Sequence, residues 1–211
     1  MAVTRTPAYA SVPREWAGET CVCIAGGPSL TQADVDACRG RSRVIAVNDA
    51  YRMAPWAEVL YACDYAWWRV HDGVKSFGGA KYSLDVRSAR FPGVQVLRNT
   101  GVDGIESDRT ALRTGQNGGY QALNLGLHYG VKRIVLLGYD MQVSGGKSHW
   151  FGDHPEGLQR RPPVGMFIPH FNKLAELLKA QRVDVVNCSR STALKCFERQ
   201  PIDQALSLVA A

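Results

Sequence analysis

Short apolar runs alternate along this chain with longer stretches whose apolar residues recur every three or four positions. "TCVCIAG" (20–26) is a continuous apolar run with β-branched residues and predicts a buried strand. "SRVIAVNDA" (42–50) predicts a second strand ending at Asn48, and "AEVLYACDY" (57–65) a third ending at Asp64. "KYSLD" and "GVQVLRN" are further strand candidates, "KRIVLLGYD" (132–140) is the clearest strand, and "VDVVNCS" (183–189) is the last. Between them lie helices. "SLTQADVDACRG" (29–40) has Ser29 and Thr31 as caps, Asp34 three residues after Thr31, and Gly40 as a stop. "AWWRVHDG" predicts a short helix. "GYQALNLGLHYG" (119–130) sets Ala122, Leu123 and Leu127 on one face, and "FIPHFNKLAELLKAQ" (167–181) is amphipathic. "PIDQALSLV" predicts a final helix. Strands alternating with helices predict a single α/β domain, Rossmann-like, with a mostly parallel sheet and helices on both faces. The domain spans 20–211, after an irregular lead-in over 1–19, and carries a polar, glycine-rich loop at 141–165 as a candidate active-site loop.

Composition changes this picture little. A chain of 211 residues suits one such domain. The formal net charge of +6 favours anionic partners, but the basic residues are scattered and form no nucleic-acid arm. Cys21, Cys23, Cys38, Cys63, Cys188 and Cys196 mostly sit in apolar runs and read as small core residues, not as a disulfide framework. Cys21 and Cys23, two apart on a strand, share a face. The chain shows no signal peptide and no apolar run of membrane-spanning length, so the expected location is the cytoplasm.

In an open parallel sheet, ligands bind outside the carboxyl ends of the strands. Those ends carry Gly26, Gly27 and Ser29; Asn48 and Asp49; Asp64; Tyr139 and Asp140; and Asn187, Ser189 and Arg190. Each alone reads as a turn former or a cap. Together they make a polar rim. "AGGPSL" lacks the third glycine of the dinucleotide fingerprint and the chain has no Walker lysine, yet a Gly-Gly turn before a helix offers N–H groups to a phosphate. "RTGQNGGYQALNLGL" (113–127) is a second such element. Thr114, Asn117, Gly118 and Gly119 precede its helix, with Asn117 either a cap or a ligand contact.

"GKSHWFGDHP" (146–155) is the densest chemical cluster, with His149, Asp153 and His154 beside Trp150 and Phe151. It reads as a general base oriented by a carboxylate, or as a loop with an aromatic anchor. A zinc site lacks a third ligand, and no metal ligand is assigned.

Taken in order, "IAGGPSL", "VIAVNDAY", "GGYQALNLGLHYGVKRIVLLGYDM", "SHWFGDH" and "VVNCSRSTAL" resemble the bacterial sialyltransferases of glycosyltransferase family forty-two. They also resemble the related 6-hydroxymethylpterin diphosphokinase family (MptE-like), which includes phage proteins. The resemblance covers roughly residues 20 to 197. It implies a cytidine monophosphate donor site at Gly26, Gly27, Pro28, Ser29, Asn48, Asn117 and Gly118. It also implies a catalytic base at His154, with His149 as the alternative. Asp64, Thr114, Asp140 and Ser189 complete the candidate nucleotide-binding set. The chain departs from the sialyltransferase pattern in two places. It has no asparagine within the first glycine turn, and Met141 and Gln142 follow Asp140 where that family places tyrosines. The resemblance therefore implies the nucleotide-binding fold without fixing the donor.

Three functions are open on this reading. The first is a glycosyltransferase with a nucleotide-sugar donor and an unknown hydroxyl acceptor, a glycan or a modified nucleic acid, needing no cofactor. The second is a diphosphokinase of a pterin-like alcohol, using ATP and magnesium held by Asp64, Asp140 and Asp153. The third is a nucleotide- or nucleic-acid-binding protein without chemistry.

Overall fold

A computed structural model describes residues 9–155, 158 and 164–207. Part of the expected loop (156–157 and 159–163), the first eight residues of the lead-in, and residues 208–211, which include the last two of the expected final helix, lie outside the described residues. The strands are β1 (Thr20–Ile24), β2 (Arg43–Val47), β3 (Val59–Tyr61), β4 (Ala80–Ser83), β5 (Val94–Val96), β6 (Arg98–Asn99), β7 (Ala111–Leu112), β8 (Arg133–Leu137), β9 (Asp184–Asn187) and β10 (Glu198–Arg199). The α-helices are α1 (Gln32–Asp36), α2 (Tyr65–Val70), α3 (Gly118–Tyr129), α4 (Val164–Ala180) and α5 (Ile202–Ser207).

Eight strands form one sheet in the order β10-β9-β8-β1-β2-β3-β4-β5. Every pairing in it is parallel, so all its strands point their carboxyl ends at one edge. The chain steps outward from β1 to β5, then crosses back through α3 to place β8 on the other side of β1. That reversal opens a crevice between the ends of β1 and β8, where open α/β sheets bind ligands.

The period-two pattern of the strands explains the layers. Cys21, Cys23, Ile45, Val47 and Tyr61 face a core shared with Leu123 of α3 and Phe171 of α4. Val22, Ile24, Val44, Ala46 and Leu60 face the other core, with Val35 of α1, Trp67 and Trp68 of α2, and Leu206 of α5. All six cysteines are free thiols. Cys21 and Cys23 share a face, as a spacing of two requires. No helix among the described residues is long and apolar enough to cross a membrane.

The structure differs from the expectations in four places. The described lead-in is irregular but belongs to the core: Val12 and Trp16 are buried, and the Trp16 ring stacks on Tyr129 at 3.9 Å. Burying such a ring is worth roughly 2–3 kcal/mol, which ties the segment down without regular structure. Strands β6, β7 and β10 have two residues each, too short for any periodicity to show. Helix α1 is only five residues long, because Thr31 and Asp34 close a capping box and the chain turns by Ala37. Helix α4 begins at Val164, three residues before its expected start, and contains Pro169.

Candidate functional site

At the β1–β8 crevice lies an open cleft. Its wall brings together nine of the fourteen candidate residues, namely Gly26, Gly27 and Pro28; Asn48; Asn117 and Gly118; Asp140; and His149 and His154. Ser29, Asp64, Thr114, Asp153 and Ser189 do not line it.

The first glycine turn is closed from Gly27 onward, while the Gly26 N–H on the cleft wall has no hydrogen bond among the described residues. Gly27 N–H donates to Gly138 O at 2.8 Å, and Leu30 N–H donates to Gly27 O at 3.1 Å. Ser29 donates twice to Asp140, from its backbone N–H (2.7 Å) and its hydroxyl (2.9 Å). A Cβ on Gly27 would stand 2.3 Å from Asp140 Oδ1 and 2.5 Å from Gly138 O. Glycine is therefore required at 27 by the packing of β1 against β8. The short helix that follows is no open N-terminus either. Thr31 caps it, and Arg190 grips Asp34 through two bonds of 2.8 and 2.9 Å. Asp140 is 1% exposed, and burial raises its carboxyl above the ordinary value while the two Ser29 donors pull it down.

The second glycine turn is arranged otherwise. Asn117 is a cap, its Oδ1 accepting from Gly119 N–H (2.8 Å) and Tyr120 N–H (3.2 Å). Gly118 N–H, at the first helical position, has no hydrogen bond among the described residues, and it lines the cleft. A Cβ on Gly118 would meet Val47 Cγ1 at 3.1 Å. The amino end of α3, twelve residues long, thus presents a free donor and the positive end of its dipole to the cleft.

The loop after β8 closes the third side. Trp150 N–H donates to Gly26 O at 3.1 Å, which pins the loop on the first glycine of the turn. A Cβ on Gly26 would lie 3.2 Å from His149 Nδ1, so this glycine makes room for the histidine. The His149 ring stacks on Phe151 (5.0 Å, 3°) and stands 4.5 Å from the ring of His154. Burial, and then the neighbouring His154, push His149 below the ordinary imidazole value; Gly26, Asp49 and Asp153 pull it back. His154 Nδ1 is buried without a hydrogen-bond partner among the described residues. Asp153 is exposed and does not orient a histidine from the cleft wall.

The other candidates have structural partners. Ser189 Oγ accepts Tyr139 N–H at 2.7 Å, and Ser189 N–H donates to Asn187. Thr114 Oγ1 accepts Gln116 N–H at 3.4 Å, within its own turn. Asp64 is exposed at the start of α2, so the three carboxylates expected to hold magnesium do not converge on the cleft. Among the described residues no group of three or more His, Cys, Asp or Glu is placed to hold a metal ion.

One part of the site is not visible in any motif. Asp49, at the mouth of the cleft, is 2% exposed. Its Oδ2 accepts Trp67 Nε1–H at 3.0 Å, and its Oδ1 lies 3.5 Å from His71 Nε2 and 3.9 Å from Arg52 Nη1. Asn48, before it, has φ +50°, a left-handed conformation that asparagine tolerates well and that starts the turn carrying Asp49 inward. Asp49 and His71 lie 22 positions apart on different elements, and the sequence marked "AWWRVHDG" as no more than a short helix.

No protein-family model and no curated protein matches this sequence. Its fold matches two solved structures. One is the MAf glycosyltransferase from Magnetospirillum magneticum AMB-1, with TM-score 0.65 and 14% identity over 92% of this chain and 36% of that one. The other is the sialyltransferase CstII from Campylobacter jejuni, in complex with a substrate analogue, cytidine-5'-monophosphate. It has TM-score 0.56 and 12% identity over 88% of this chain and 86% of that one. The chain thus spans little more than a third of the MAf chain and most of the CstII chain. At these identities the likeness is one of fold.

Proposed function

We propose that the protein is a glycosyltransferase that takes a nucleotide-sugar donor, a CMP-sugar first among them, and delivers the sugar to a hydroxyl acceptor. One observation carries this reading: the cleft joins a free helix-terminal N–H, at Gly118, to two loop histidines, at the sheet edge where such folds bind nucleotides. The likeness to two glycosyltransferase structures, one holding CMP, supports it.

The charges favour one orientation of the donor. The described residues of the cleft wall include no Lys or Arg, and its two acids stand near β1, β2 and β8. A phosphate would be repelled by Asp140 and welcomed at the amino end of α3. There Gly118 N–H and the helix dipole would hold it. The acceptor oxygen bonds to the anomeric carbon, and its proton passes to His154. The bond from that carbon to the phosphate oxygen breaks, leaving the electron pair on the departing nucleotide. His149, next to His154, supports the transfer.

Thermal-shift screening with CMP, UDP, GDP, ADP and ATP, with and without magnesium, tests the ligand class. CMP is expected to raise the melting temperature without magnesium. Stabilisation by ATP alone, and only with magnesium, would replace this reading by the diphosphokinase; no response to any nucleotide would end the nucleotide reading. For the base, His154→Ala should lower turnover of CMP-sialic acid roughly a hundredfold or more, with CMP affinity nearly intact. His149→Ala should be milder. A fully active His154→Ala enzyme would remove His154 from the mechanism.

A further inference from the structure

A buried histidine that accepts a proton needs a negative charge within reach, because an isolated imidazolium is poorly tolerated away from water. On the loop, Asp153 acts on His149 but is exposed, so water screens its charge. Asp140 is committed to the first turn through both its oxygens. Asp49 remains. Its carboxylate is buried and lines the cleft with His149 and His154.

The setting of Asp49 is rigid. Trp67 Nε1–H fixes Oδ2. His71 stacks on the Trp67 ring at 4.2 Å, meets Tyr51 edge-on, and brings its Nδ1 to 3.3 Å from the Tyr51 hydroxyl. These partners come from helical segments packed on the sheet, whereas the histidines they face come from a loop. His71 Nε2, like His154 Nδ1, is buried and has no hydrogen-bond partner among the described residues.

Resting on the glycosyltransferase reading, we propose that Asp49, held by Trp67 and backed by His71, is the positioning carboxylate that stabilises the positive charge formed on the loop histidines when they take the acceptor proton. Asp49 transfers no proton itself. The other charged or titratable groups around the pair are Arg52 and Tyr51 beside Asp49, His71 at the end of α2, Asp140 after β8 and Asp153 on the loop; among the described residues α4 adds apolar Val164 and Phe167 to the wall.

The test is an NMR titration of the histidine Cε1–H signals, assigned with His149→Gln and His154→Gln. In Asp49→Asn the side-chain oxygen still accepts from Trp67, but the charge is gone. The midpoints of the loop histidines should move to lower pH, and the acid limb of the turnover profile should move with that of His154. Asp49→Glu, which keeps the charge, should restore much of the shift. A folded Asp49→Asn protein with an unmoved midpoint would overturn the proposal. Should that variant fail to fold, the wild type decides: the Asp49 ¹³Cγ signal should inflect at the loop-histidine midpoint, and a flat signal there would overturn the proposal. CMP calorimetry on the same samples separates the two readings. A wild type that neither binds CMP nor turns over a CMP-sugar sinks the transferase and the catalytic role with it, while a moved midpoint would still establish the charge pairing.

Discussion

Two glycine turns reach the same edge of the sheet, and they are put to opposite uses. In the turn after β1, the N–H groups of Gly27, Ser29 and Leu30 are all taken by protein acceptors, and Gly27 is compressed against Asp140 and Gly138. In the turn before α3, the asparagine cap satisfies two N–H groups and leaves the one at Gly118 to the cleft. The same residue type thus serves packing in one place and ligand access in the other. The difference lies in the second partner. Asp140 fills the first turn from beyond β8 and accepts its Ser29 N–H, whereas Val47 of β2 and Tyr139, which pack against the second, leave the Gly118 N–H without an acceptor among the described residues.

The largest effect should come from Gly27→Val. The added Cβ would meet backbone at Gly138, which has no room to yield, so a loss of roughly 3 kcal/mol or more is expected, seen as a lowered denaturant midpoint or as failure to fold. A folded Gly27→Val protein of wild-type stability would show that the first turn is looser than its contacts imply.

Gly118 should respond in binding and not in stability. Proline suits the first position of a helix, and Asn117, with φ −144° and ψ 129°, already has the extended backbone that a following proline requires. Gly118→Pro therefore deletes the N–H and little else, and Gly118→Ala controls for the added Cβ near Val47. Relative to the alanine variant, the proline variant should lose the equivalent of one hydrogen bond to a charged group, about 1.5–3 kcal/mol, or roughly tenfold or more in Kd for CMP. Equal affinity in the two variants, by calorimetry, would remove Gly118 N–H from the phosphate site.

This contrast marks how far sequence reading reaches. The sheet was legible because its central strands are continuous apolar runs, and because parallel strands force Gly26, Asn48, Asp64 and Asp140 to one edge. Which of them face the cleft was not legible. Asp64 is three residues beyond β3 and Asp140 three beyond β8, yet only Asp140 lines the wall, because Ser29 reaches across from β1 to hold it there. Asp49 was one of the strand-end polar residues, but its partner His71 was hidden for a related reason. Their pairing is a matter of two segments folding onto Trp67, and no local spacing encodes it. Asn117, by contrast, announced its cap through the two glycines and the apolar period that follow it.

The smallest effect separates the two turns by pH. The first is held by a carboxylate, the second by a neutral amide. Burial raises the Asp140 carboxyl above its ordinary value of 3.8, although the two Ser29 donors oppose the shift. A carboxyl raised in the folded state holds its proton more tightly there than in the unfolded chain. Its contribution to stability is then fully present below the ordinary value and is lost as pH rises through the folded one. Removing the titrating group in Asp140→Asn should therefore improve stability relative to wild type as pH rises from about 4 toward neutrality, a difference that urea midpoints at matched pH can read. Asn117→Asp makes the converse change. Aspartate caps a helix about as well as asparagine, and the N–H groups of Gly119 and Tyr120 would lower its carboxyl. Its added stability should be present at neutral pH and lost as pH falls through the lowered value. The two variants should thus drift from wild type in the same direction with pH for opposite reasons, one by removing a raised acid and the other by adding a lowered one. A constant gap between wild type and Asp140→Asn across this range would show that Ser29 cancels the cost of burying Asp140, and that the first turn is as indifferent to pH as the second.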